Sequence, residues 1–418
     1  MYLNLKHQPN MDKPEDNYQF EFHAKKPEND EKHWWFKVGD ILELKSVVNY
    51  AIEHKLKSGK ESALLENLKN AFCTEKLISF FEETEKDLDK VLNIFIRVSS
   101  GGVKLSYSDL LVSILSFSSD IRERMKELVD ALKDKGFSNM GQDQVLKTCL
   151  LLVGSNTEFK LKNFNKKNIK EIEDNWEKIT DSIYNAAELL KTFGYADCLG
   201  SAYILSSLAY FYFLNSKMNE SDKEQALKFV RNAQITGYFT PSTDTKLSII
   251  AHSMKDAPTF ESFNHNLATH ETSPLKITND AIEEMMCSSS PARVFPILQI
   301  LYPNLNYKTT TFHIDHIYPK SKFNKENKKL NQDFYGWRDY LFNRQLLEGA
   351  ENIAKKDKDP EVWLKEEYKD NQQAIEEYKK RNYIDPNLRL EWENIKEFRE
   401  KREEAIIKRL KEALLPKS

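Results

Sequence analysis

Between residues 121 and 295, one segment after another places apolar side chains three and four positions apart: "RERMKELVDALKD", "EIEDNWEKITDSIYNAAELLKTF", "CLGSAYILSSLAYFYFL" and "KEQALKFVRNAQITGYF". That spacing lines one face of an α-helix. Punctuation points the same way, because 418 residues carry only 12 glycines and 13 prolines, few for a chain of many tight turns. Loops such as "NFNKKN" and "TPSTDT" separate the helices without the fixed period of a solenoid. The expected fold is therefore mainly α. His252, His265 and His270 fall in this region without a metal-ligand spacing and read as surface or satisfied core residues.

One of these helices needs a decision. Residues 198–216, "CLGSAYILSSLAYFYFLNS", carry no charge over 19 positions, long enough for a membrane span. Four serines, a glycine and an asparagine, with charged helical segments close on both sides, favour a buried helix of a bundle instead. The first residues, "MYLNLKHQPNMDKPEDNYQF", are polar and lack the apolar region of a secretory signal. Four cysteines, Cys73, Cys149, Cys198 and Cys287, stand far apart without a CxxC, as suits core thiols in a reducing cytoplasm. No membrane partner is expected, and the location expected is cytoplasmic.

Three parts are expected along the chain. Residues 1–120 open with the aromatic and β-branched stretches "YLNL", "YQFEFHA" and "WWFKVGDIL", then turn helical from Leu42. Residues 121–295 form the helical middle. Residues 296–418 hold a short β-containing motif embedded in helices and end in "LRLEWENIKEFREKREEAIIKRLKEALL". In that tail Ile395, Phe398, Ile406, Leu410 and Leu414 form an apolar stripe to dock on the body.

Within the first part, "VLNIFIRVSSGGVKLSYSDLL" puts Gly101 and Gly102 at a helix end, and Ser106 starts the next helix. This is a helix–loop–helix corner. Arg97 and the backbone amides around Ser99, Gly101 and Gly102 could also hold an anion there.

The chemistry concentrates at residues 313–321, "HIDHIYPKS". The β-branched and aromatic residues at 309–314 favour a strand, which would put His313 and Asp315 on one face and end before Pro319. Downstream, "FNRQLLEG" suits a second strand turning at Glu348–Gly349, and "AENIAKKDKDP" a helical turn closed by Pro360. Strand, strand and helix with Asp-His in the first strand, and Asn343 and Asn352 nine residues apart, resemble the ββα-metal or HNH nuclease motif.

The residue types suit phosphodiester hydrolysis. A histidine neutral near pH 7 can take a proton from water, and the resemblance to the HNH motif implies that His316 is that general base. A hard divalent ion, magnesium first and manganese second, held by the Asp315 carboxylate and the Asn352 carbonyl, would neutralise developing charge. Asn343 and His313 complete the candidate catalytic set. Asn343 is expected to orient the hairpin or the histidine, and His313 either takes part or braces the strand. Over residues 301–358, 11 Lys/Arg stand against 7 Asp/Glu although the whole chain is at −3. Lys320, Lys325, Lys328 and Lys329 lie between the motif halves, and Lys355 and Lys356 follow Asn352, as candidate phosphate contacts.

The chain further resembles the GmrSD-type modification-dependent (type IV) restriction endonucleases. "HIDHIYPKS" with "NRQLLEGAENIAKKDKDP" is similar to that family's C-terminal HNH domain, and "VLNIFIRVSSGGVKLSYSDLL" to its F-R-x-N-S-G-G-x-x-L-S-x-x-D element. "YLNL", "YQFEF" and "HWWFKVGDIL" look like the segment before that element. The resemblance implies a metal-dependent DNA endonuclease in defence against phage or modified DNA, with residues 1–120 the C-terminal part of a ParB-like domain. The family's D-G-Q-Q-R motif for nucleotides has no counterpart here, and Ser99 stands where asparagine is usual. No nucleotide is therefore expected for this chain alone; the partners expected are a chain that supplies the missing N-terminal part and, separately, further copies in a homo-oligomer. Two other classes stay open: a non-cutting DNA-binding or assembly subunit, and an RNA-cleaving toxin.

Overall fold

The computed structural model describes residues 1–8, 18–56, 59–74, 90–91, 94, 119–158, 160–324, 336–349, 353 and 355–415. They belong to two compact units, Met1–Glu85 and Lys86–Ser418, and the described chain is mainly helical.

In the first unit the aromatic stretches do form a sheet. Strands β1 (Tyr2–Asn4), β2 (Phe20–Glu21) and β3 (Trp35–Lys37) run antiparallel in the order β2-β1-β3. Helices α1 (Val47–Glu53) and α2 (Gly59–Lys69) follow, and Leu65 and Leu68 join Leu3, Phe36 and Ile41 in a small core. The unit ends at Glu85 rather than at the expected 120. Arg97, Ser99, Gly101 and Gly102, the candidate anion loop, lie outside the described residues.

The second unit is a helical array: α3 (Ser119–Asp134), α4 (Gln142–Leu152), α5 (Lys166–Asp174), α6 (Trp176–Thr192), α7 (Ala202–Asn215), α8 (Glu220–Thr236), α9 (Thr243–Lys255), α10 (Phe260–Thr269), α11 (Asn279–Met285) and α12 (Pro291–Leu301). The uncharged stretch becomes α7, buried along most of its length. Its polar residues are satisfied inside: the Ser207 hydroxyl donates to the Tyr203 carbonyl at 2.7 Å, and the Ser206 and Thr148 hydroxyls meet at 2.7 Å. Among the described residues no helix is long and apolar enough to cross a membrane.

Local chemistry joins the helices. Asn219 caps α8 reciprocally with Asp222, whose other oxygen accepts the Phe260 N–H at 2.9 Å and so ties the start of α10 to α8. In α12, Pro296 has no N–H for the carbonyl of Ala292 one turn earlier. Gln234 of α8 supplies the missing donor through Nε2 at 3.0 Å.

The chain then forms the hairpin of β4 (Phe312–His316) and β5 (Arg344–Glu348), followed by α13 (Pro360–Glu367), α14 (Gln372–Arg381) and α15 (Ile395–Leu414). Strand β4 starts after Thr309–Thr311 and runs on through His316, later than the β-branched run alone suggests. The expected boundary at 295/296 does not separate cores. Leu341, Leu346, Ile406 and Leu410 pack into the core of the helical array, while Ile317, Phe342, Leu347, Trp363 and Phe398 form a second one. Helix α15 runs along both: Ile395 and Phe398 bury in the second core, Ile406 and Leu410 in the first. Full burial of such side chains contributes roughly 1.5–3 kcal/mol each.

Candidate active site

Asn343 fixes the hairpin. Its Oδ1 accepts the Tyr318 N–H at 2.8 Å, and its Nδ2 donates to the carbonyls of Tyr318 and Arg338, both at 3.0 Å. Its own carbonyl accepts the Ile317 N–H at 2.9 Å. With 0% exposure the side chain reaches no substrate. It belongs with the bracing groups and not with the reacting ones, because its side-chain amide is spent on backbone groups of Tyr318 beyond β4 and of Arg338 ahead of β5.

The register pairs His316 with Arg344, Asp315 with Gln345 and His313 with Leu347. Alternation along a strand then puts Asp315 and His316 on opposite faces of the hairpin.

On the His316 face, Nε2 lies 3.0 Å from Asp339 Oδ1, and Arg344 Nη1 lies 3.4 Å from Nδ1. An acceptor on one side and a donor on the other set the tautomer: Nε2 carries the proton and Nδ1 the lone pair. Burial and then the Arg344 charge push the His316 pKa down to about 4, outweighing the upward pull of Asp339. His316 is therefore neutral near pH 7, and its contact with Asp339 is a hydrogen bond.

Asp339 gathers the surrounding cations. Its oxygens take Arg344 Nη2 at 2.7 Å and Arg338 Nε at 2.8 Å, with Lys320 Nζ 3.7 Å away. Burial pushes its carboxyl up. Hydrogen bonds from Arg338 and His316, with the charges of Arg344 and Arg338, prevail and hold it at about 2. Three cations around one carboxylate leave an excess of positive charge beside His316.

On the other face, Asp315 Oδ2 accepts from Gln345 Nε2 at 2.8 Å and pairs with Lys355 Nζ at 2.9 Å. Gln345 Oε1 in turn accepts the Tyr378 hydroxyl at 2.6 Å. Lys355 also donates to the carbonyl of His316 and lies 5.8 Å from the centre of the Trp363 ring. It is 1% exposed. The expectation that Lys355 contacts phosphate is therefore corrected: its ammonium is turned inward and used by Asp315. Lys320 and Lys356 are exposed, as a phosphate contact requires. His313 is exposed on the Asp315 side with its Nε2 close to Gly349. Asn352, Lys325, Lys328 and Lys329 lie outside the described residues.

The second core holds the hairpin from below. Arg402 of α15, 1% exposed, donates to the carbonyls of Asn382 at 2.8 Å, Arg344 at 2.9 Å and Leu341 at 3.4 Å, and to that of Phe342.

A divalent ion does not fit the described residues in this arrangement. No group of three or more His, Cys, Asp or Glu among them could hold a metal. Oδ2 of Asp315 is already taken by an ammonium and an amide, which leaves one carboxylate oxygen for a hard cation that needs about six or more oxygen ligands.

Sequence reasoning missed Asp339, Arg338, Arg344, Gln345 and Arg402. Once Asn343 is placed just ahead of β5, antiparallel pairing sets Arg344 opposite His316, a signal present in "HIDHI" and "FNRQ" together. A signal for Arg402 is present as well, since it interrupts the apolar stripe between Phe398 and Ile406 at helical spacing. No family model and no curated protein matches this chain, so the reading of its function rests on the groups around His316.

Proposed function

We propose that this chain hydrolyses phosphodiester bonds as an endonuclease, with DNA as substrate and His316 as general base. The observation that carries this reading is a neutral histidine, oriented by Asp339 and flanked by Arg338, Arg344 and Lys320, at the end of a braced β-hairpin. A bound phosphate would draw the Arg344 and Lys320 charges onto its oxygens, freeing Nδ1 to face a water molecule. Nδ1 then takes the proton from that water as its oxygen attacks phosphorus, the P–O ester bond opposite the attack breaks, and the departing alkoxide takes a proton from solvent. Asp339 stabilises the imidazolium so formed, at no cost in reorganisation because it is already in place. Lys320 and Lys356 supply phosphate contacts without sequence preference. The wider reading is a cytoplasmic nuclease of a defence system against phage or modified DNA; the magnesium or manganese expected with it finds no fit among the described residues.

The test is nicking of supercoiled plasmid by the purified chain with magnesium, manganese or chelator, beside a structured RNA. His316→Ala should lower the rate by about 10²–10⁴-fold while DNA affinity persists. An unchanged rate removes His316 from the mechanism, and cleavage of RNA alone moves the substrate to RNA. One observation favours a second reading, a DNA-binding subunit that does not cut: Lys355 fills the cation position beside Asp315. Binding of DNA without nicking in any metal would select it.

A further inference from the structure

We propose that the cleft between α4, α7 and α9 binds a small carboxylic acid with an apolar body. The site is independent of the nuclease reading, since no group around His316 enters it.

The cleft encloses about 700 Å³, within the range of small-molecule sites. Leu151 of α4, Leu214 of α7 and Ala251 of α9 give it an apolar wall, together with the ring of Tyr210. Tyr210 is 6% exposed. A tyrosine packed so deeply usually finds a partner for its hydroxyl. Here the hydroxyl has none among the described residues and is not cut off from solvent, so it opens to the cleft that its ring lines. Phenylalanine would fill the same wall, and the added oxygen serves nothing inside the fold. Burial pushes the Tyr210 pKa up, so the hydroxyl keeps its proton near pH 7 and is ready to donate.

Charge selects the ligand. Two carboxylates line the cleft, and each already has its cation. Asp244 Oδ1 takes Lys147 Nζ at 2.6 Å and the Thr157 hydroxyl at 3.0 Å, and Glu158 takes Lys160 Nζ at 2.8 Å. Lys255, the last residue of α9, is exposed at the rim and pairs with no carboxylate among the described residues. What the lining leaves unspent is therefore a phenol in the wall and an ammonium at the edge, with no unpaired anion to receive a cationic ligand. An apolar body laid against Leu151, Leu214 and Ala251, with its carboxylate on the Tyr210 hydroxyl, uses both. The Lys255 ammonium follows that carboxylate on a long, flexible stem. A neutral ligand of the same shape leaves the ammonium unused, and an amine meets it with like charge.

Calorimetric titration of the whole chain with decanoate and with naphthoate, a flexible and a flat acid, tests this. Decanol and decylamine are the neutral and cationic counterparts. One acid should bind with a single site per chain and more tightly than either counterpart. Tyr210→Phe, which keeps the ring, should weaken that acid by about tenfold or more, as expected for a lost hydrogen bond to a charged group. Lys255→Gln should weaken it by up to about fivefold, the range of an exposed ion pair, and narrow its advantage over decanol. Ser248→Trp, at an exposed position of the lining, should fill the space and abolish binding. Unfolding profiles accompany each variant, and the two surface changes decide the matter if Tyr210→Phe does not fold. Acid binding that Ser248→Trp leaves unchanged places the ligand elsewhere and overturns the proposal. Decanol or decylamine binding as tightly as decanoate overturns it too, as does failure of both acids to bind.

Discussion

Arg402, on the last helix, donates to the carbonyl of Arg344 at 2.9 Å, and Arg344 is the strand residue whose guanidinium grips Asp339 beside His316. A single buried side chain on α15 thus sets the height of the strand that carries the cationic cluster. Arg402→Met leaves several buried carbonyls without a donor and should destabilise the second unit by about 2–4 kcal/mol, since each unpaired buried group costs roughly 1–3 kcal/mol. Arg402→Lys should recover only part of that, because an ammonium cannot span carbonyls that a planar fork reaches together. Chemical denaturation midpoints of the three proteins check the order. Equal midpoints would mean that the hairpin holds its position without α15.

Acid should weaken the fold in two successive windows. His316 titrates at about 4 in the folded chain against an ordinary 6.5, so folding disfavours its proton. A depressed folded value means the stability is fully present above 6.5 and declines as pH falls from there to about 4, by about 3 kcal/mol. Asp339 is held at about 2 against an ordinary 3.8, so its contribution is present above 3.8 and fades toward pH 2. That second loss is about 2 kcal/mol. His316→Gln should flatten the first window and leave much of the second. The readout is the unfolding free energy at intervals from pH 8 to pH 3, and a His316→Gln curve parallel to that of the parent would refute the assignment.

Asn343→Ala removes the amide that receives one backbone N–H and serves two backbone carbonyls. About 2–4 kcal/mol should be lost, in keeping with buried groups left unpaired. The companion effect is on the site: Ile317 and Tyr318 follow His316 directly, so the ring should lose its fixed place. Loss of nicking in Asn343→Ala under conditions where the chain stays folded is the expected result, and full retention would show that the turn keeps its shape unaided.

The lysines should separate by where they point. Lys320→Gln and Lys356→Gln should each weaken binding to every DNA sequence about equally and reduce the slope of the salt dependence by up to roughly 0.9 for each phosphate left without its cation. Fluorescence anisotropy across salt concentrations measures this. A sequence-selective effect would mean that these side chains read bases.

The helices and the hairpin were legible because period and punctuation are local. The apolar stripe from Ile395 to Leu410 and the bracing asparagine at 343 can be read in a few residues each. Arg344 and Asp339 could not be read that way, since their importance comes from a cross-strand register and a turn that bring them to His316 from 28 and 23 positions away. Lys355 misled for a different reason. In a run of three nearby lysines composition suggests a solvated loop, and only packing shows that one of them faces inward beneath Trp363. The boundary at 295/296 followed the place where β-like residues begin, whereas cohesion follows shared burial.

That shared burial has a consequence for cutting the molecule. Helix α15 leaves Ile406 and Leu410 in one core and Phe398 in the other, and the hairpin sends Leu346 to the array and Leu347 away from it. The hairpin with its flanking helices is accordingly no removable cassette. Severed before Pro291, it would turn a face of leucine and isoleucine to water and keep its histidine on a scaffold robbed of half its footing. Whatever His316 does, it does as an outgrowth of the helical array, and a graft of residues 296–418 onto another protein would have to bring a replacement for that array with it.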